Sequence, residues 1–168
     1  MAPISALKFT HARNGLDGGA HHFTKTLQGK ESYYANKRRK KALIDNKVKR
    51  SHETWVETKG IIESKYWYAA ANRMYYACYY MVSALLLKNE LNAHTHSGMI
   101  GLFGLNFIKT NIVSPELGKF YSQLFELRQT GDYDDWKIIT ETEVMALAPK
   151  VELFLDTLEK LIYDKHLQ

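Results

Sequence analysis

The fold is decided by residues 66–88, which read YWYAAANRMYYACYYMVSALLLK. Apolar side chains recur there at steps of three and four, and this spacing places them on one side of an α-helix. The stretch contains neither glycine nor proline, the two residues that most often end a helix. We therefore predict a long helix with one buried stripe, which comprises Ala70, Met74, Ala77, Cys78, Met81, Val82 and Leu85.

Helices are also predicted before and after this stretch. A first helix begins at about residue 39 and ends at the polar break Glu63-Ser64-Lys65, and a short third helix follows the loop that runs to Ser97. The same helical spacing defines their buried faces. The first helix carries Ile44, Val48, Ser51, Trp55, Thr58 and Ile62, and the third carries Ile100, Phe103, Phe107 and Ile108.

The last two helices have clear start signals. Ser114-Pro115 predicts the start of the fourth helix, because serine caps a helix and proline suits its first position. Gly131 is expected to end that helix. The capping-box spacing of Thr140 and Glu143 predicts the start of the fifth, in which Pro149 should produce a kink or a break. Their buried stripes comprise Leu117, Phe120, Tyr121, Leu124 and Leu127, then Val144, Leu147, Val151, Leu155, Leu158 and Ile162.

No stretch alternates with the period of two that a half-buried strand would show, so the sequence predicts an all-α bundle of about five helices. Residues 1–38 lack this periodicity and are interpreted as a poorly ordered basic N-terminal extension, with the bundle over residues 39–165. His11, His21 and His22 in the extension could ligate a metal in principle. Adjacent histidines without a fixed scaffold are a weak signal, so we expect no metal or cofactor.

The composition excludes several classes of protein. A chain of 168 residues that is 45% hydrophobic fits one domain, or one domain with an appendage. Its single cysteine, Cys78, excludes an intrachain disulfide and a cysteine-based zinc site. No stretch approaches the roughly 18 consecutive apolar residues of a membrane span, and the N-terminus does not resemble a secretory signal. We therefore expect a soluble cytoplasmic protein.

The charge is unevenly distributed along the chain. Residues 1–60 contain 13 Lys and Arg against 5 Asp and Glu, whereas residues 61–168 contain 10 against 13. A basic front suggests an anionic partner such as RNA. The densest run, Lys37 to Lys41, is also compatible with an ordinary solvated helix face.

Two constellations could carry chemistry, since the common nucleotide, zinc and hydrolase motifs are absent. Arg73, Tyr76 and Tyr80 share one helix face, where they could stack on bases and contact phosphate, or form a buried polar network or a dimer interface. In the second, Arg128 precedes Asp132 and Tyr133, and the group could bind phosphate and transfer a proton. Alternatively, Arg128 and Asp132 form a local ion pair at the helix end.

Several motifs in this order resemble the HEPN-domain family, in its branch of small stand-alone prokaryotic proteins. They are Arg73-Met-Tyr75-Tyr76-Ala77, Thr95-His96-Ser97-Gly98, Phe107-Ile-Lys109-Thr, and Leu127-Arg128 through Gly131-Asp132-Tyr133-Asp134. The resemblance covers about residues 42–163. It implies an antiparallel four-helix bundle with an additional short helix, usually as a homodimer.

The resemblance also implies a function. Many family members are metal-independent endoribonucleases, often toxins, and many are encoded beside a minimal nucleotidyltransferase. Their motif is an arginine followed after four to six residues by a histidine. Here the arginine is Arg128, and the histidine would fall at Tyr133, Asp134 or Asp135, none of which is histidine.

Three roles follow from this departure. In an active protein, Arg128 would stabilise charge on the scissile phosphate of RNA, and Asp132 would orient Arg128. His96 could contribute if the fold brings its loop close to Arg128. Tyr133 matches the tyrosine that relatives with a cognate nucleotidyltransferase use as an acceptor of adenylyl groups, or it packs its ring on Trp136 and finishes the helix. The alternative is a non-catalytic module that binds RNA or nucleotide, or acts as an adaptor.

Overall fold

The computed structural model describes the backbone of residues 17–133 and 138–164, and the side chains of residues 31–129 and 138–164. These residues form five α-helices and no strand, which confirms the all-α prediction. The helices are α1 (Asp17–Glu63), α2 (Trp67–Lys88), α3 (His96–Phe103), α4 (Pro115–Tyr133) and α5 (Glu141–Tyr163). A π-helical turn, Gly104–Ile108, extends α3.

The long helices pack as an antiparallel bundle. Asp45 of α1 accepts a hydrogen bond from Tyr163 near the end of α5. Trp55, further along α1, donates to Glu152, which comes earlier in α5, so the two helices run in opposite directions. The Ser51 hydroxyl of α1 donates to the carbonyl of Ala77 on α2, at 2.7 Å. The predicted four-helix bundle with one additional short helix is confirmed.

The predicted apolar stripes form the core. Every stripe residue predicted for α2 and α5 is buried, and in α1 the small polar residues Ser51 and Thr58 are fully buried beside Ile44, Val48 and Trp55. The Thr58 hydroxyl donates to the carbonyl of Thr54, so its burial leaves no polar group unsatisfied. Spacing therefore identified the buried faces of α2 and α5 completely, whereas Ile62, Ile100, Ile108 and Leu117 of the other predicted stripes are only half-buried.

Helix starts followed the predicted signals more closely than helix ends. Thr140 and Glu143 form the complete capping box of α5, and the Ser114 hydroxyl accepts a 3.4 Å bond from the N–H of Leu117 at the start of α4. The prediction that Gly131 ends α4 is wrong, since the helix continues to Tyr133. Pro149 lies inside α5 without dividing it.

The start of α1 also differs from the prediction. The chain divides into two compact units at Arg38–Arg39, and the backbone before that point is helical from Asp17 onward. The prediction of a first helix starting near residue 39 is therefore wrong. Glycines at 18, 19 and 29 each cost a helix about 1 kcal/mol relative to alanine, which weakens it without stopping it, and no proline follows them in α1. That residues 1–38 form a poorly ordered extension stays a prediction.

Among the described residues, none of the helices combines the length and the apolar character that crossing a membrane requires.

Candidate functional site

The site is built on Tyr75 of α2, which is fully buried. Its ring stacks on that of Tyr121 from α4 at 5.9 Å between centroids, and it also contacts Phe125. The Tyr75 hydroxyl reaches His96 at the start of α3, with 2.6 Å between the oxygen and Nδ1 of the imidazole. Three helices therefore meet at one phenol.

His96 is held in place by the local structure of the Thr95-His96-Ser97-Gly98 loop. The Thr95 hydroxyl caps α3 by accepting a 3.0 Å hydrogen bond from the N–H of Gly98. A Cβ atom on Gly98 would lie 2.9 Å from that same hydroxyl oxygen, so only glycine fits this position without displacing the cap. The ring of Tyr79 packs on the imidazole, with 4.7 Å between centroids.

Arg128 of α4 also contacts this tyrosine. Its guanidinium lies 5.9 Å from the centroid of the Tyr75 ring and 5.7 Å from that of Tyr76, both within cation–π range. We call Tyr75, Tyr76, Tyr79, His96 and Arg128 the Arg128–His96 cluster. The structure thus brings His96 to Arg128, the condition that its predicted contribution required.

The electrostatics of the cluster favour a neutral imidazole beside a permanent positive charge. Burial, and secondly the charge of Arg128, lower the pKa of His96 below its usual value of 6.5. Burial raises the pKa of Tyr75 to about 12, although the Tyr121 hydroxyl and Arg128 act in the opposite direction. At neutral pH the cluster therefore holds a guanidinium, a neutral imidazole and a protonated phenol.

These groups match the chemistry of phosphate esters. A guanidinium donates N–H bonds to phosphate oxygens and neutralises their charge. A neutral imidazole can accept a proton or donate a hydrogen bond. In the described part of the chain, no group of three His, Cys, Asp or Glu side chains is arranged to hold a metal ion.

The residues predicted on one face of α2 lie in different surroundings. Arg73 forms an ion pair with Glu57 of α1, and the guanidinium of Arg50 from α1 lies 4.9 Å above the ring of Tyr80. Of the three, Tyr76 has its ring within cation–π range of Arg128, at 5.7 Å. Arg73 therefore has a structural partner outside the Arg128–His96 cluster.

Asp132 and Tyr133 are the last two residues of α4. Their side chains lie outside the described residues, as do Asp134, Asp135 and Trp136. The predicted roles of Asp132 and Tyr133 stay predictions. Helical spacing does place Asp132 one turn beyond Arg128 on the same side of the helix.

Tyr75 and Tyr79 are the cluster residues that sequence reasoning did not single out as a site. Tyr75 lies in the buried part of α2, where an aromatic side chain is ordinarily interpreted as core. The available signal was its hydroxyl, because a fully buried tyrosine needs a hydrogen-bond partner. Nothing in the local sequence indicated that this partner is His96.

Comparison with known proteins places the bundle in one group. Residues 47–161 match the family model described as the HEPN domain. A UPF0332 protein of Thermotoga maritima is 42% identical over 125 residues, which are 74% of this chain and 95% of the relative.

Two further relatives come from Methanocaldococcus jannaschii. One, named "Putative toxin MJ0142", is 31% identical over 77% of this chain and 88% of its own length. The other, named "Putative toxin MJ0605", is 29% identical over 73% of this chain and 96% of its own length. The region that matches the HEPN-domain model, residues 47–161, includes every residue of the Arg128–His96 cluster.

Proposed function

This chain belongs to the HEPN-domain family, and from that premise we propose that it is a toxin-like endoribonuclease whose reacting phosphate is bound by the Arg128–His96 cluster. The observation that carries the proposal is the convergence of Arg128 and His96 on the ring of Tyr75. The names of the two archaeal relatives support a toxin-like role.

The proposed reaction is attack of a ribose 2′-hydroxyl on the adjacent phosphorus. A bond forms from the 2′-oxygen to phosphorus, the bond to the 5′-oxygen breaks, and the proton of the 2′-hydroxyl leaves as the 5′-oxygen gains one. Arg128 would stabilise the negative charge that grows on the phosphate, and Asp132 would orient Arg128. We assign to His96 the contribution of a histidine, because the sequence has none at positions 133–135.

The proposal includes a homodimer and a nucleotidyltransferase partner. Tyr76, Tyr79 and Tyr80 are only half-buried in the single chain, and interfaces are enriched in tyrosine and arginine.

The basic run from Lys37 to Lys41 offers further contacts to the RNA backbone. Arg73 and Tyr80 stay candidates for RNA binding at the edge of the site. We place the protein in the cytoplasm, where its RNA substrate is found.

The second candidate is a non-catalytic module that binds RNA or nucleotide or acts as an adaptor. The observation that favours it is the packing of Arg128 on two tyrosine rings, which by itself contributes about 0.5–2 kcal/mol to folding. In that case Arg128 would be retained for stability alone.

An RNA cleavage assay in the presence of a chelator separates the two candidates. The wild-type protein should cleave RNA without added metal, and Arg128→Ala and His96→Ala should each lower the rate by about 100-fold or more. Lys119→Ala, which removes an exposed cation from the same helix, should leave the rate unchanged. RNA that is bound but not cleaved by the folded wild-type protein would support the second candidate instead.

A further inference from the structure

Tyr75 is in a position to control the protonation of His96. Its hydroxyl oxygen lies 2.6 Å from Nδ1 of the imidazole, a short hydrogen bond between side chains of different helices. The phenol ring is fully buried between α2 and α4, so the hydroxyl has little freedom to move away.

The direction of this hydrogen bond follows from the second phenol behind it. The Tyr121 hydroxyl is buried and has no hydrogen bond of normal geometry among the described residues. It therefore accepts no hydrogen bond from Tyr75, and the hydrogen bond of the Tyr75 hydroxyl within the described residues is the one to Nδ1 of His96. A protonated phenol has an O–H to donate, and a neutral imidazole has one nitrogen that can accept it. The proton of Tyr75 is then directed away from Tyr121, toward His96.

We propose that Tyr75 is the positioning residue of the cluster: its hydroxyl donates to Nδ1 of His96, so the neutral imidazole carries its proton on Nε2. His96 then offers an N–H donor to a phosphate oxygen beside Arg128. The choice of ligand rests on the proposed function, whereas the tautomer does not. A protonated Nε2 can donate a hydrogen bond to the oxyanion. It has no free lone pair, so it cannot accept the proton of the 2′-hydroxyl, and His96 would act by binding the oxyanion rather than as the base.

The groups that face His96 all favour the neutral form of its imidazole. Arg128 from α4 repels an imidazolium, and Tyr76 and Tyr79 from α2 bring aromatic rings that exclude water. A donor at Nδ1 adds to these effects, since it stabilises the neutral ring. Had Tyr75 accepted a bond from Nδ1–H, it would have stabilised the imidazolium instead.

The sign of one pKa change tests the proposal without RNA. We would titrate His96 by NMR in the wild type and in Tyr75→Phe, with Tyr79→Phe as the control that keeps a ring against the imidazole. Loss of the donor should move the midpoint of Tyr75→Phe upward by about half a pH unit or more, and that of Tyr79→Phe much less. The extra apolar character of phenylalanine would move it downward, so an upward shift is opposite to the effect of lower polarity and is the one expected for loss of the hydrogen bond. A downward shift, or none, would overturn the proposal.

The wild-type protein provides a second test that does not depend on how the variant folds. A long-range proton–nitrogen spectrum above the midpoint should show Nδ1 as an acceptor and Nε2 as protonated, and protonated Nδ1 would overturn the proposal. Adding an RNA oligonucleotide with 2′-O-methyl groups, which cannot be cleaved, should shift the Nε2–H resonance. If the tautomer is as expected but the oligonucleotide leaves that resonance unchanged, the tautomer stands and the ligand assignment fails.

Discussion

Tyr75 and His96 are 21 positions apart in sequence, yet the hydroxyl of one lies 2.6 Å from Nδ1 of the other. The bond joins the buried centre of α2 to the first residue of α3, so the loop between these helices is fixed at both ends. Any change that moves the start of α3 therefore moves the imidazole relative to Arg128. The loop sequence therefore helps to set the position of the imidazole.

Gly98→Ala should damage the site through this loop. The added Cβ would lie 2.9 Å from the Thr95 hydroxyl oxygen, so the cap of α3 must shift and His96 with it. We expect a loss of stability of about 1 kcal/mol, as for other lost caps, together with a change in the His96 NMR signals. Gly101→Ala is the matched control, since its Cβ would meet nothing within 4 Å and alanine favours the helix by up to about 1 kcal/mol. Equal effects of the two substitutions would contradict this account.

Thr140→Ala should remove the capping box of α5. The Thr140 hydroxyl accepts from the N–H of Glu143 and donates to the Glu143 carboxylate, so the substitution removes both of these bonds and leaves only the one from the backbone N–H of residue 140. The expected loss is about 0.5–2 kcal/mol of the free energy of unfolding, measured by urea denaturation. Thr142→Ala in the first turn of the same helix is exposed and should change it by less than about 0.5 kcal/mol.

The buried stripes and the capping box show what the sequence determines. Buried stripes and helix starts depend on residues close together in the chain, so periodicity identified Leu124 as core and Thr140 as a cap. The end of α4 was misplaced because glycine only weakens a helix, and packing or neighbouring residues decide whether it ends there. The beginning of α1 was misplaced because the residues before 39 lack helical periodicity, yet their backbone is helical from Asp17.

The candidate site was less predictable for the same physical reason. Arg128 was identified from its motif, whereas its contacts with Tyr75 and Tyr76 depend on how α4 packs against α2. A tertiary contact of this kind leaves no periodic trace in either helix. His96 was recognised as a candidate, but only the assembled bundle shows that its imidazole and Arg128 share one phenol ring.

Stability should fall as the pH falls through the ordinary titration range of histidine. The pKa of His96 is lowered in the folded protein, so near pH 6.5 the unfolded chain binds more protons than the folded one. The free energy of unfolding therefore falls as the pH falls below about 6.5. The fall ends where His96 of the folded protein is protonated as well. Thermal midpoints between about pH 7.5 and about pH 5 should therefore decline less steeply in His96→Gln than in the wild type. His94→Gln, at an exposed position two residues earlier, should keep the wild-type slope. Identical slopes in all three proteins would show that His96 is not shielded as described.

The homodimer predicts a mass in solution of twice the 19.4 kDa of one chain, measured by light scattering at micromolar concentration. Tyr80→Lys should shift the protein toward the monomer, because it places an ammonium next to Arg50 on the half-buried tyrosine face. Leu153→Lys, at an exposed position of α5, should leave the mass unchanged. A wild-type protein that is monomeric at this concentration would contradict the proposed interface.

The last prediction concerns Tyr133 as an acceptor of adenylyl groups. The phenol oxygen would attack the α-phosphorus of ATP, with loss of the phenolic proton and release of pyrophosphate, leaving AMP on Tyr133. Tyr133 is the final residue of α4, a little more than one turn beyond Arg128. An AMP group there adds negative charge and bulk close to Arg128, so it should occupy the phosphate site and suppress RNA cleavage. Incubation with ATP and the cognate nucleotidyltransferase, followed by peptide mass spectrometry, should locate the added mass at Tyr133. Tyr133→Phe should cleave RNA normally, acquire no AMP and resist suppression, whereas modification at another tyrosine, or an unsuppressed modified protein, would contradict this form of control.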